Sequence, residues 1–269
     1  MADLIQINNG LLSIGGNLIG IGSSGPSLPP YTMRLKYQDG VTPAFSKGTG
    51  VQVSSSPNIW DLTYENTDWS QLLYTHTNLL EVIAANSTGV TNMVYMFGYC
   101  YNLTSVALFD TSSATSMAYM FTGCSRLTSI PLFDTSSVTR MSSMFTDCTS
   151  LTSVPLFDTS SVTRMDNMFH SCYSLTSVPL FDTSSVTDMG YMLAYCYNLT
   201  SVPLFNTSSA TGMYDMFLNC YKVESGALAL YQQASTQPTV PTHYGAFKDC
   251  GRDTVTGAAE LAQIPSDWK

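Results

Sequence analysis

Six cysteines recur along this chain at a strict interval of 24 residues. They are Cys100, Cys124, Cys148, Cys172, Cys196 and Cys220. An internal period of about 20 to 50 residues predicts a solenoid, in which each unit buries its apolar face only against its neighbours. The structure of one unit therefore determines the architecture of most of the chain.

Each unit begins with a segment whose apolar residues have helical spacing. In the unit VTRMSSMFTDCTSLTSVPLFDTSS, residues 138–161, they are Met141, Met144, Phe145 and Cys148. The intervals i, i+3, i+4 and i+7 place side chains on one face of an α-helix. We therefore predict a short helix in every unit, with methionine as a pliable filler of the core.

A short parallel strand is predicted after each helix. Leu151, Val154 and Leu156 form the L-x-x-V-x-L pattern typical of a leucine-rich repeat, in which strands of successive units pair in parallel. Proline has no N–H to donate, so strands of only about three or four residues are expected. The recurring prolines are Pro131, Pro155, Pro179 and Pro203. The predicted fold class is an α/β solenoid, a leucine-rich-repeat-like array of 24-residue units.

Four regions are expected along the chain. Residues 1–30 contain a glycine-spaced apolar tract and a linker, which predicts an attachment segment. Residues 31–65 alternate between polar and apolar side chains and contain turn signals, which predicts a small β-rich N-terminal cap. The repeats occupy residues 66–225, and residues 226–269 are a helical C-terminal cap with a degenerate last repeat. Helices of this cap are predicted at residues 227–234 and near residues 257–263.

The cysteines are predicted to be buried free thiols. The six regular ones occupy one equivalent position, and the sequence has none of the C-x-x-C spacing that builds a zinc site. Cysteine is among the most buried side chains and packs as a small hydrophobe. A ladder of disulfides between adjacent units is the alternative.

A row of aspartates is the most tempting candidate for a cation site. It consists of Asp110, Asp134, Asp158 and Asp182. Stacked carboxylates could hold calcium. However, Asn86 and Asn206 occupy the same position, and asparagine keeps the hydrogen-bond acceptor without the charge. A turn or capping role is therefore favoured, with calcium binding as the alternative.

Composition and charge argue against several classes of function. The net charge is −9, and the ten Lys and Arg residues are scattered, whereas a nucleic-acid-binding surface needs clustered bases. His76, His170 and His243 occupy unrelated positions, and no paired carboxylates emerge. We expect no catalytic residues, cofactor or metal site. Residues 1–22 lack the features of a secretory signal, and no membrane span is expected.

Candidate binding residues are the positions that differ between units, and tyrosine dominates them. It offers a large contact area at low entropic cost together with a hydroxyl, and adaptable binding surfaces favour it. The alternative is that these rings merely cover the units. The candidates, which would form a ridge along one side, are Tyr95, Tyr99, Tyr101, Tyr119, Tyr173, Tyr191, Tyr195, Tyr197, Tyr214 and Tyr221.

The repeat closely resembles the BspA-like leucine-rich repeats, in particular the Met-Phe-x-x-Cys-x-x-Leu variety of mycoplasma surface proteins. The resemblance extends over residues 67–250. It implies an extracellular role in recognition or adhesion without enzymatic activity. It supplies no functional residues to transfer, because the shared positions belong to the core and turns.

The flanking sequences resemble proteins of phages or prophages of gut bacteria. They are SSSPNIWDLTYENTDW before the repeats and GAAELAQIPSDWK after them. This resemblance implies a virion surface or fibre-like protein, which needs no secretion signal and docks to other virion proteins through residues 1–30. The expected partner of the repeats is a host glycan, a host protein or a neighbouring virion protein, and a homotrimer is expected. A bacterial cell-surface adhesin is the alternative.

Overall fold

The computed structural model describes residues 6–8, 11–14, 17–20 and 28–269. Near the N-terminus, strands β1 (Gln6–Asn8), β2 (Leu11–Ile14) and β3 (Asn17–Gly20) form an antiparallel three-stranded sheet. The other residues before position 28 lie outside the described part. The attachment role of residues 1–30 therefore stays a prediction.

A second sheet links the N-terminal β element to the first two coils. Its strands follow the order β5–β6–β4–β7–β8. Strand β4 pairs antiparallel with both β6 and β7, and β7 pairs parallel with β8. The strands are β4 (Thr32–Tyr37), β5 (Thr49–Ser55), β6 (Asn58–Thr63), β7 (Leu79–Asn86) and β8 (Ser105–Val106).

The alternating sequence of β4 explains its central place in this sheet. Met33, Leu35 and Tyr37 are buried on one face, as a period of two requires. Because β7 belongs to the first coil, the sheet continues across residue 65, where the sequence predicts the end of the N-terminal element. That boundary stays a prediction.

The segment predicted as a helix in each unit is instead a run of overlapping tight turns. In the unit at 138–161, the N–H of Met144 donates to the carbonyl of Met141, and Ser143 between them has φ 56°. A non-glycine residue in this left-handed region cannot belong to an α-helix. The N–H of Ser143 donates to the backbone carbonyl of Asp166 in the next coil, so these backbone bonds join adjacent coils. The helix prediction is therefore wrong.

The left-handed residues recur twice in every coil, four residues apart. Each occupies the third position of a turn, as in a type II turn. They are Gln71 and Thr75, Tyr95 and Tyr99, Tyr119 and Gly123, Ser143 and Asp147, Asn167 and Ser171, Tyr191 and Tyr195, Asp215 and Asn219, and Gly245 and Asp249.

The strand predicted after each helix is also largely missing from the repeats. In the unit at 138–161, its backbone makes one bond to the preceding coil, from Thr152 N–H to Thr128 O. Strand β8 forms where Ala107 replaces the recurring proline, and the Ala107 N–H donates to Val82 O at 2.8 Å. Proline thus removes the pairing, as expected.

Parallel bridges run instead through the residue before the first methionine of each unit. These bridges are continuous from the first coil to the last. They join Asp68, Asn92, Ser116, Arg140, Arg164, Asp188, Gly212 and Thr242 in that order.

The core is a set of stacked ladders of identical side chains. Phe121, Phe145 and Phe169 stack nearly parallel, with ring centroids 5.8 and 5.5 Å apart. Methionines, cysteines and leucines at the equivalent positions are fully buried, so each coil covers the apolar face of the next.

The leucine before each aspartate motif is exposed, contrary to the L-x-x-V-x-L prediction. The N–H of Phe181 donates to Pro179 O at 3.0 Å, and this three-residue turn leaves Leu180 at its apex, 62% exposed. The following phenylalanine, buried in each unit, takes the core position expected for the leucine. The exposed leucines are Leu108, Leu132, Leu156, Leu180 and Leu204.

The two helices predicted near the C-terminus are present. They are α1 (Ala227–Ser235) and α2 (Val255–Gln263), followed by a 3-10 turn at Ser266–Trp268. Trp268 is buried against Phe247 and Tyr231. The N–H of Phe247 donates to the Trp268 carbonyl, which replaces the acceptor that a further coil would supply. This segment therefore closes the last coil.

Candidate recognition surface

The cysteine row is structural. All seven cysteines are buried free thiols, as predicted. Each regular thiol donates to a carbonyl of the preceding coil; for example, Cys148 Sγ lies 3.2 Å from Phe121 O. Burial raises the pKa of Cys100 to about 12, which leaves the thiol protonated and unreactive at neutral pH.

The aspartate row closes turns. Asp158 Oδ1 accepts hydrogen bonds from the N–H and the hydroxyl of Ser160, at 3.0 and 2.7 Å. These bonds lower the pKa of Asp158, because they stabilise the carboxylate. Asn206 accepts the equivalent bond from Ser208 N–H, so the amide replaces the carboxylate in the same turn. This geometry agrees with the predicted turn role.

The threonine after each aspartate joins adjacent coils. Thr159 is buried, and its hydroxyl donates to Asp182 O at 2.8 Å. The same bond recurs from Thr111, Thr135 and Thr183. The aspartate, the threonine and the first serine of the Asp-Thr-Ser-Ser motif therefore have a structural explanation.

The three histidines lie in separate environments. The His76 Nδ1 atom is 2.7 Å from the hydroxyl of Tyr37, His170 packs on Tyr195, and His243 stacks on Trp268. Among the described residues, no cluster of His, Cys, Asp and Glu could hold a metal ion.

The candidate tyrosines form two clusters rather than one continuous ridge. The unit at 138–161 separates them, because it has Ser143, Asp147 and Thr149 where other units have tyrosine. We call the two groups the N-terminal and C-terminal tyrosine clusters. The N-terminal cluster is Tyr74, Tyr95, Tyr99, Tyr101 and Tyr119, and the C-terminal cluster is Tyr173, Tyr191, Tyr195, Tyr197, Tyr214 and Tyr221.

The N-terminal cluster is built around a stacked pair. Tyr95 and Tyr119 are nearly parallel with centroids 4.3 Å apart, and Tyr74 contacts Tyr95 edge-on at 5.6 Å. Burial, together with the neighbouring rings, raises the pKa of Tyr95, so its hydroxyl stays protonated. The sequence prediction omitted Tyr74, which lies in the degenerate first coil where the repeat pattern is weakest.

The C-terminal cluster contains a column of three rings. Tyr197 stacks on Tyr173 at 5.0 Å and on Tyr221 at 5.4 Å. The guanidinium of Arg252 lies 4.1 Å from the Tyr221 ring centroid and covers the end of the column. Tyr173 remains 39% exposed, so the column presents aromatic area to solvent. No periodic signal in the sequence predicts Arg252, which follows the last coil.

Glycines in adjacent coils make room for two of the rings. A Cβ atom added to Gly123 would lie 2.6 Å from the Tyr99 ring, and one added to Gly190 would lie 2.3 Å from the Tyr214 ring. Tyr99 and Tyr214 therefore lie against the backbone of a neighbouring coil. These two rings serve the packing of the surface, whereas Tyr101, 47% exposed, and Tyr173 are more open to a partner.

The fold and this surface define a class of protein: a solenoid with a uniform core and a variable aromatic exterior. The chain belongs to the family described as Mycoplasma protein of unknown function, DUF285, which matches residues 67–155 and 125–231. This membership supports the resemblance of its repeats to BspA-like leucine-rich repeats.

Comparison with other known proteins adds little to this family assignment. The leucine-rich repeat protein TpLRR of T. pallidum has 17% sequence identity and a TM-score of 0.43, with 64% of this chain and 78% of TpLRR covered. A similarity of this size does not establish a shared fold or function. No curated protein matches the sequence significantly. None of the helices in the described part of the chain has the length and apolarity needed to cross a bilayer.

Proposed function

We propose that the chain is a non-enzymatic recognition protein that contacts its partner through the two tyrosine clusters. The observation that carries this proposal is the stacked column of Tyr173, Tyr197 and Tyr221. The column breaks the uniformity of the repeats and is partly exposed. Rings that are fixed by stacking lose little conformational entropy when a partner binds, which favours affinity.

The fate of the other candidate groups supports a non-enzymatic role. The regular thiols donate to carbonyl oxygens, the aspartates close turns, and the histidines are dispersed. General acid–base or nucleophilic catalysis assembles a nucleophile, a base and the group that orients the base at one site. Here His76 pairs with Tyr37 at 2.7 Å and His170 with Ser171 at 3.1 Å, and these pairs lie in separate environments.

The column can be removed without disturbing the coil. Ser125 and Thr149 occupy the position of Tyr173 in earlier units, so Tyr173→Ser, Tyr197→Ser and Tyr221→Ser together copy a side chain that the fold accepts. Binding of the labelled full chain to a panel of intact bacteria is measured by flow cytometry. We expect the triple variant to bind at least tenfold more weakly than the wild type.

Tyr244→Ser is the matched control, because Tyr244 is 71% exposed and lies outside both clusters. We expect it to bind as the wild type does. Undiminished binding by the triple variant, or no binding by the wild type to any cell of the panel, would contradict the proposal.

The setting that we favour is the surface of a phage particle, with residues 1–30 docked to other virion proteins and the repeats facing a host glycan or protein. The resemblance of the flanking sequences to phage proteins supports this setting. A bacterial cell-surface adhesin is the alternative, and family membership is compatible with it. Mass spectrometry of purified particles tests the first setting, and antibody labelling of intact producing cells tests the second.

A further inference from the structure

We propose that a cleft beside the N-terminal tyrosine cluster binds a neutral pyranose sugar, within the recognition role proposed above. The cleft lies between the loop at residues 41–47 and the first coil at residues 71–78, and its volume is about 530 Å³. Ligand pockets commonly have volumes of about 300 to 1,000 Å³, so a short oligosaccharide fits this size class.

An uncharged pair, Tyr37 and His76, lines the cleft. The Tyr37 hydroxyl and His76 Nδ1 are 2.7 Å apart, and the ring of Phe45 stacks on His76 at 5.6 Å. Burial lowers the pKa of His76 and raises that of Tyr37, so both groups are neutral at physiological pH. This part of the cleft therefore carries no charge.

The ammonium of Lys47, the charged group among the described lining residues, is already engaged. Its Nζ atom lies 2.6 Å from Ser70 O and 5.9 Å from the ring centroid of Tyr64. The lysine thus fastens the loop to the first coil. The Asp68 carboxylate, whose pKa is lowered by hydrogen bonds from Ser70 and by the charge of Lys47, offsets the charge of this ammonium, which favours a neutral ligand.

Tyr74 supplies an aromatic wall for the cleft. Its ring is 38% exposed and is held by edge contacts to Tyr95 and Tyr99, at 5.6 and 5.5 Å. The C–H groups on one face of a pyranose carry a small positive charge and pack well on the negative face of an aromatic ring. A fixed and partly exposed tyrosine beside a polar cleft provides this contact.

Gln71 and Asn78 supply amide groups to the same cleft. Both residues line it, and neither side chain makes a hydrogen bond to another described residue. An amide side chain offers a carbonyl acceptor and two N–H donors. Sugar hydroxyls donate and accept at once, so these amides match them better than they match a purely anionic or apolar ligand.

The test uses the full chain on an array of neutral, sialylated and sulfated oligosaccharides. We expect the wild type to bind neutral oligosaccharides, and Tyr74→Ala and the double variant Gln71→Gly with Asn78→Ala to lose at least tenfold in affinity. Glycine is chosen at position 71 because the backbone φ of Gln71 is 55°. Tyr244→Ala is the matched control and should bind as the wild type does.

Three outcomes would overturn the sugar proposal. They are the absence of binding to neutral oligosaccharides, a preference for sialylated or sulfated ones, and undiminished binding by variants that keep the wild-type melting temperature. The cell-binding assay separates this failure from that of the recognition role. Wild-type cell binding that the triple column variant loses, together with no binding to neutral oligosaccharides on the array, overturns the sugar proposal alone. Sugar binding without cell binding overturns the recognition role alone.

Discussion

Two segments of the same coil are held in different ways. In the turn segment, residues 141–148, every second N–H group donates to a carbonyl of the next coil. In the leucine–proline segment, residues 151–157, only the N–H of Thr152 donates to the preceding coil. The turn segment buries most of its side chains, whereas the second segment leaves Leu156 60% exposed. Backbone bonds therefore join the coils mainly on one side, whereas the other side has a single backbone bond and depends mostly on the burial of side chains.

This difference explains where the sequence is free to vary. The inward positions of the turn segment are fixed by the ladders, and its outward positions carry the tyrosines. In the leucine–proline segment the sequence hardly varies, although its leucine is exposed. Two leucines of one repeat therefore have opposite environments, and the first prediction compares them.

Leu151→Ala and Leu156→Ala make the same substitution at a buried and at an exposed leucine of one repeat. Leu151 is fully buried, so we expect its loss to lower the free energy of unfolding by about 2 to 5 kcal/mol. Leu156→Ala should change it by less than about 0.5 kcal/mol. Urea unfolding followed by circular dichroism measures both. Equal losses would show that Leu156 is packed rather than exposed.

Thr159→Val removes one hydroxyl that joins two coils and keeps the shape of the side chain. The Asp182 carbonyl would lose this partner, so we expect a loss of about 0.5 to 1.5 kcal/mol in the free energy of unfolding. Thr152→Val is the control, because its hydroxyl is exposed and bonds Thr128 O at 3.4 Å. If Thr152→Val lowers the free energy of unfolding as much as Thr159→Val does, the bond of the buried Thr159 hydroxyl does not explain the loss.

The repeat, its length and the buried cysteines follow from the sequence, but the helix does not exist. Met141, Met144, Phe145 and Cys148 lie on one side in both an α-helix and a run of overlapping turns, because each turn also advances by three or four residues. The distinguishing signal is the left-handed pair. Gly, Asn and Asp, which tolerate that conformation, occupy these positions in several coils. Tyrosine and serine in the other coils obscure it.

The candidate surface was predictable only in part. Variation between units identifies the tyrosines, since a position that changes freely cannot be part of a conserved ladder. Tyr74 and the loop bearing Lys47 come together through the pairing of β4 with β7, a contact between the degenerate first coil and a region without repeats. The period of the repeats does not predict how a region without repeats packs on the first coil. The cleft could therefore not be predicted from the sequence.

Pro155→Ala tests whether proline alone prevents pairing in the leucine–proline segment. The new N–H can donate to the preceding coil, as the Ala107 N–H does to Val82 O. A hydrogen bond contributes about 0.5 to 1.5 kcal/mol, and the greater freedom of the unfolded chain offsets about 0.4 to 1 kcal/mol. The net change should therefore stay within about 1 kcal/mol. Hydrogen exchange should show protection of the new amide, and exchange at the rate of an unfolded peptide would refute the prediction.

Ser160→Ala should give the smallest effect, and it appears only in acid. The bonds from Ser160 lower the pKa of Asp158 below its ordinary value of 3.8. The stability that they contribute is present above that value and is lost as the pH falls through the lower pKa of the folded state. In this variant Asp158 keeps only the bond from the N–H of residue 160. The pKa of Asp158, read from the NMR shift of its carboxyl carbon, should therefore rise. The melting temperature of the variant should also fall less between about pH 6 and about pH 3 than that of the wild type. Ser161→Ala, at an exposed serine beside the turn, is the control. An equal rise in the pKa of Asp158 in that variant would show that the hydroxyl of Ser160 does not cause the effect.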